Sequence, residues 1–337
     1  MIARAHELLD RLHTIHMAIR DSVLAACEAG SIDDAAAPVA FEGGDTIYAI
    51  DRVSEQVLVR LFSELAEEWP CVLIAEGLGP TGRRILPEGT DASRVAVRII
   101  VDPIDGTRGL MYQKRPGWIL TGVAAELGPA TGLDAIELAV MTEIPLVRQH
   151  LADSFRAVRG EGVVGERTNR LSGETQRIIP RPSRATTIAH GFGQIARFFP
   201  GVRDVLAAIE EDVIARVLGD APAGSALTFE DQYISSGGQL YELLMGHDRW
   251  VADLRPLMAP VLEGRGRSAG LYCHPYDLCS ELIAREAGII VTDARGGPLR
   301  APLDVDSPIA WAGYANPAIA ALVQPVLTAV LEERGLL

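Results

Sequence analysis

The stretch Val95-Ala-Val-Arg-Ile-Ile-Val-Asp102-Pro103-Ile104-Asp105-Gly106-Thr107-Arg108-Gly109-Leu110 decides how this sequence reads. Its first part, 95–101, has the apolar, β-branched composition of a strand, and it ends on two carboxylates three residues apart. Pro103 fixes one φ angle and Gly106 permits a tight turn, so the chain can leave the strand sharply and aim both acids at one point. The N–H groups of Gly106 and Thr107 are then free to face an anion if a helical turn starts there. Two unit charges about 4 Å apart repel by roughly 4 kcal/mol at an effective dielectric of 20, so converging carboxylates imply a cation. An all-oxygen ligand set favours Mg²⁺, Mn²⁺ or Ca²⁺ over zinc or copper. Taken alone, Asp-x-x-Asp is also the pattern of a turn whose aspartates cap backbone amides.

Upstream, Leu8, Leu12, Ile15, Ile19 and Val23 recur at helical spacing before Gly30, which predicts a helix over 3–29. Ile50, Val53, Val57, Leu61 and Leu65 repeat the pattern in a second helix around Asp51. Strands are expected at 71–75, 95–101, 118–125, 136–141 and 155–158, separated by Gly, Pro and Asp clusters. Near 178–185, prolines and basic residues concentrate. That suggests two domains, 1–183 of α+β type carrying most of the acids and 184–337 of α/β type. The second half reads as strands at 186–189, 250–252, 289–292 and 309–314, with helices at 202–218, 238–245, 277–287 and 319–333.

The 337 residues carry 31 basic and 45 acidic side chains, a net charge of −14, which argues against a general grip on the phosphate backbone of nucleic acid. A phosphorylated substrate would need the sign reversed locally, and a bound cation does that. The four cysteines, Cys27, Cys71, Cys273 and Cys279, match no zinc spacing and are expected to be inert thiols. The first twelve residues mix charged with apolar side chains, and no window reaches the roughly 18 apolar residues that span a bilayer. A cytoplasmic protein without a membrane partner is the expectation. Gly160-Glu-Gly162-Val-Val-Gly165 spells a dinucleotide-type motif but opens no apolar helix, so a β-turn is expected. His13 and His16, lacking partner acids in sequence, are expected on the surface of the first helix, and no Ser lies in a G-x-S-x-G context.

Asp102-Pro103-Ile104-Asp105-Gly106-Thr107 resembles the signature of the inositol monophosphatase family, within the wider superfamily that includes fructose-1,6-bisphosphatases. Ile74-Ala75-Glu76-Gly77 resembles that family's strand-end G-E-E, and Asp45 and Asp51 match a pair of acids six apart. His274-Pro275-Tyr276-Asp277, with Glu281 and the Ala284 to Gly288 run, resembles its W-D-x-A-A-G block. These four ordered blocks extend from about residue 40 to the C-terminus.

The resemblance implies a layered αβαβα sandwich and a magnesium-dependent phosphomonoesterase acting on a small polyol or sugar phosphate. Glu76, Asp102 and the Ile104 carbonyl would hold one Mg²⁺, and Asp102, Asp105 and Asp277 a second, with a third ion or Mn²⁺ as variations. Asp51 and Thr107 would orient and deprotonate the attacking water, beside Glu76. Asp105, Gly106, Thr107, Ser236, Asp253 and Asp277 would meet phosphate and substrate, Ser235 to Gly238 standing at the family's G-S-A-A turn. A homodimer is implied too. Fructose bisphosphates and 3′-phosphoadenosine compounds are alternative substrates, and a catalytically silent binder of a phosphometabolite or a partner protein is an alternative of another class. Three departures stand out. Gly77 replaces an acid, His274 replaces Trp, and a long segment, 254–276, separates Asp253 from Asp277 beside the expected leaving-group pocket. Arg108, Lys114 and Arg115 follow the turn and are expected to be solvated charges.

Overall fold

The computed structural model describes residues 2–29, 38–42, 45–79, 81–219, 222, 224–268 and 270–337, with the backbone alone over 38–42, 45–56 and at Pro129. Helix α1 (Ala5–Ala29) and helix α2 (Ala49–Ala66) flank a hairpin of β1 (Pro38–Glu42) and β2 (Asp45–Tyr48). Seven of the eight strands of the large sheet are β3 (Cys71–Ala75), β4 (Arg83–Leu86), β5 (Val97–Asp105), β6 (Gly117–Ala125), β7 (Ile136–Ile144), β8 (Leu151–Val158) and β9 (Val163–Asn169). With β10 (Thr175–Ile178) they lie in the order β10-β9-β8-β7-β6-β5-β3-β4. Only the β3–β5 pair is parallel. A four-stranded sheet follows, β11 (Phe192–Ile195), β12 (Asp248–Asp253), β13 (Ile290–Asp293) and β14 (Trp311–Tyr314), in the order β11-β12-β14-β13.

Period-2 alternation on β5 divides the core. Ile99 and Val101 face α1 and α2, where they meet Leu12, Ile19, Phe62 and Leu65. Ile100, between them, faces the opposite way, into a layer shared with helix α5 (Ser236–Leu244) and helix α7 (Glu281–Glu286). The inner side of the small sheet, Val251, Val291 and Trp311, closes that layer. On its outer side Trp250, Ala252 and Tyr314 pack on helix α4 (Arg203–Leu218) and helix α8 (Pro317–Glu333). The result is the expected αβαβα sandwich. Two further short helices among the described residues are α3 (Thr107–Met111) and α6 (Ala259–Gly264). Among the described residues no helix is long and apolar enough to cross a membrane.

Several local expectations change. The helix expected over 277–287 is two pieces, a 3-10 turn Pro275–Leu278 and then α7, because Pro275 begins one turn and the chain restarts after Ser280. The strand expected at 186–189 is absent. The Arg249 guanidinium takes the Thr187 and Ala189 carbonyls, and the paired strand is β11. β4, β9 and β10 are strands that short, mostly polar runs did not signal. Gly160 and Gly162, both with φ +82°, turn the chain between β8 and β9, as the β-turn reading requires. His16 is fully buried, its ring nitrogens 3.0 Å from Thr142 Oγ1 and 2.7 Å from Thr121 Oγ1. Its surface placement fails because side chains on the neighbouring sheet, distant in sequence, satisfy it.

Candidate active site

Asp102 and Asp105 lie at the C-terminal end of β5, and a β-bulge makes them converge. Asp102 pairs with Leu120 of β6 and Asp105 with Trp118, so three residue steps on β5 oppose two on β6. In a regular strand residues i and i+3 point to opposite faces, and one extra residue returns them to the same face. Pro103 sits in that bulge, where its missing N–H costs no ladder bond. Asp102 Oδ1 accepts from Ile104 N at 3.0 Å, and Thr107 Oγ1 donates to the Ile104 carbonyl at 2.8 Å. Gly106, at φ +85°, precedes α3, and a Cβ there would stand 3.0 Å from Ser235 Cβ.

Asp105 is fixed from the second half of the chain. Its Oδ2 accepts from Ser235 Oγ at 2.8 Å and from Gly237 N at 2.6 Å, at the start of α5. Ser235 also accepts from Gly238 N as the N-cap of that helix. Asp277 comes in on the 3-10 turn, its Oδ2 accepting from His274 N at 2.6 Å. The turn rests directly on β6. A Cβ at Gly122 would lie 2.4 Å from the Cys279 carbonyl, so only glycine lets the backbones approach this closely.

Carboxylate oxygens of Asp102, Asp105 and Asp277 thus lie within 4.8 Å of one another. Asp102 and Asp105 are each 6% exposed. Burial, and then the charges of Asp105, Asp277 and Glu76, hold Asp102 well above the ordinary carboxylate range. Asp105 is pushed up to about 6 by burial, against the opposing hydrogen bonds from Ser235, Gly237 and Ser236. Burial and Asp105 raise Asp277 likewise. The donor set is all oxygen and a divalent cation would cancel the mutual repulsion, so these residues fit an Mg²⁺-type ion.

The other expected residues are distributed as follows. Glu76 is exposed in the turn after β3 and stands outside the 4.8 Å trio, yet near enough that its charge acts on Asp102 and Asp277. Asp51 falls in the first turn of α2 and Asp45 opens β2, and the side chains of both lie outside the described residues. The Ser236 hydroxyl is 3.6 Å from Cys273 Sγ. Asp253 is completely buried and engaged by Arg255, whose Nε donates to Oδ1 at 2.8 Å and to Oδ2 at 3.0 Å. Cys71, Cys273 and Cys279 are buried free thiols, and burial lifts all three pKa values. Arg115 pairs with Asp231 and lies over the Tyr233 ring, so it is not merely solvated. Sequence reading did not find Arg255. Its one signal is an arginine two residues beyond a strand-end acid.

A five-layer sandwich with this order of strands and helices is a known class of fold. It is the fold of inositol monophosphatases and fructose-1,6-bisphosphatases. The Leishmania major fructose-1,6-bisphosphatase in holo form superposes with a TM-score of 0.69 at 13% identity, covering 98% of this chain and 96% of that one. The extragenic suppressor protein SuhB from Bartonella henselae gives 0.63 at 15% identity, over 95% and 98%. The Thermotoga maritima IMPase gives 0.60 at 18% identity, over 96% and 99%. No protein-family model and no curated protein matches the sequence.

Proposed function

We propose that this protein is a metal-dependent phosphomonoesterase that hydrolyses a small polyol or sugar phosphate, in the manner of an inositol monophosphatase. The observation that carries the reading is the convergence of Asp102, Asp105 and Asp277 at the bulged end of β5, in a fold shared with phosphatases. Glu76, Asp102, the Ile104 carbonyl, Asp105 and Asp277 would hold two or three Mg²⁺ ions, or Mn²⁺. Such cations supply acidity to water and screen the charge that develops on the phosphoryl oxygens.

The protein's own part is positional. Thr107, anchored to the Ile104 carbonyl, and Asp51 orient the attacking water and accept its proton. The Gly106 and Thr107 amides hold the phosphate, with Asp105, Asp277 and Ser236 around it and Asp253 behind the substrate wall. Water oxygen bonds to phosphorus as the bond to the leaving oxygen breaks, and that oxygen takes up a proton. The molecule is proposed to be a cytoplasmic homodimer, which light scattering checks for size.

The test is phosphate release from a panel of monophosphates and bisphosphates with and without millimolar Mg²⁺. Metal-dependent release is expected, and Asp102→Asn and Asp277→Asn should each lower it by several decades, each decade worth about 1.4 kcal/mol. Near-wild-type turnover in a folded Asp102→Asn protein removes the mechanism. Likeness to the Leishmania enzyme supports a second reading within the class, a sugar bisphosphate.

A further inference from the structure

A cleft of about 120 Å³ opens where the turn after α3, the segment leading into α5 and the start of β12 meet. It shares no lining residue with the acidic trio of Asp102, Asp105 and Asp277. Its most buried carboxylate is Asp248, the first residue of β12, in register with Phe192 of β11. Asp248 is only 8% exposed, yet it has no hydrogen-bond or ion-pair partner among the described residues. A buried carboxylate left unpaired is costly, and it calls for a proton or for a cation from outside the chain.

The other charges around the cleft are engaged with one another. Arg115 pairs with Asp231, lies 3.8 Å from Glu242 and sits over the Tyr233 ring. Glu242 also holds the His247 imidazole, and that hydrogen bond raises the His247 pKa. Asp231 and Glu242 are thereby balanced by Arg115 and a protonated His247, and Asp248 leaves one negative charge over. A single positive charge completes the set. These carboxylates do not converge as metal ligands, since among the described residues only Asp102, Asp105 and Asp277 do so. Phe192, 43% exposed and 5.5 Å ring to ring from Phe229, gives the cleft an aromatic wall instead. Such a wall attracts both an apolar stem and an organic cation. The volume lies well below the roughly 300–1,000 Å³ of sites that enclose a whole ligand, so the cleft suits a terminal group.

From this arrangement we infer that the cleft is a binding site for a primary alkylammonium group, whose N–H donors meet Asp248 and whose stem lies against Phe192. It stands independently of the phosphatase reading. Asp248 is pushed up to about 7 by burial and by the Glu242 charge, against His247 and Arg115, with Asp231 the other charged group facing the cleft. The ionised form is the one that binds, and further protonation of His247 at low pH acts in the same direction as protonation of Asp248.

Calorimetric titration of n-butylammonium chloride into the full chain, in millimolar Mg²⁺ at constant ionic strength and pH 8, tests the site. Saturable one-to-one binding is expected, about tenfold weaker at pH 6. Asp248→Asn should weaken it at least about tenfold, the scale of one charge-assisted hydrogen bond, whereas Glu263→Gln, at an exposed acid elsewhere, should leave it unchanged. In the wild type, which needs no Asp248 variant, the His247 ring-proton NMR signal, assigned with His247→Gln, should move as the amine is added. Neutral 1-butanol, with the same stem, should not bind. Absence of saturable binding, equal affinity in a folded Asp248→Asn protein, an unmoved His247 signal, or displacement of the amine by equimolar K⁺ overturns the proposal.

Discussion

Replacing Asp105 by Asn should make the metal-free protein more stable, because the native carboxylate is held where its charge is unfavourable. Its pKa is raised from 3.8 to about 6, with burial the largest cause. The folded protein therefore binds this proton more tightly than the unfolded chain, and wild-type stability falls as pH rises from about 4 through 6. Integrated over that window, the penalty is roughly 2 kcal/mol at pH 5 and roughly 3 kcal/mol at pH 8. Asn is a neutral isostere whose carbonyl can still accept from Ser235 and Gly237, so the variant should recover that amount. Urea unfolding in chelator at the two pH values measures it. Millimolar Mg²⁺ should close most of this gap. The wild type gains about 2.7 kcal/mol at a metal concentration 100 times Kd, and the variant, short of one ligand, gains much less. Destabilisation of Asp105→Asn at pH 8 in chelator, or an equal response of both proteins to Mg²⁺, would refute the reasoning.

Gly237→Ala would place a Cβ 2.8 Å from Leu120 Cδ2 and 2.9 Å from Asp105 Oδ2, so a loss of roughly 1–3 kcal/mol and a fall in kcat larger than any change in KM are expected. Gly264→Ala, with nothing within 4 Å, is the control for both measurements. His16→Ala leaves Thr121 and Thr142 without their buried partner and should cost about 2–4 kcal/mol by denaturant unfolding. Burial keeps the His16 pKa well below 6.5, so only the unfolded chain takes up this proton as pH falls. Wild type should therefore lose about 1 kcal/mol more than the variant between pH 7.5 and 5.5, and equal losses would place the His16 ring in contact with solvent.

The helices and the central strands were legible because each signal is local. The stripe Leu8, Leu12, Ile15, Ile19 and Val23 has the helical period, and it lies buried along α1. Polar edge strands such as β10 carry no alternating apolar face, so their pairing shows only in the assembled sheet. The site divides in the same way. Asp102, Asp105, Gly106 and Thr107 could be picked out because a strand, a proline, a glycine and two acids stand together in one short stretch.

By itself, then, the sequence determined which carboxylates end a buried strand and which segments alternate or repeat to make the layers. Tertiary structure alone decided that Asp102 and Asp105 share a face, since the extra residue of a bulge exists only against the register of β6. It also brought Asp277 over Gly122, set Ser235 and Gly237 on Asp105, and spent Asp253 on Arg255. Each of these joins residues far apart in the chain or turned by packing, and local periodicity holds no record of a partner supplied by another layer.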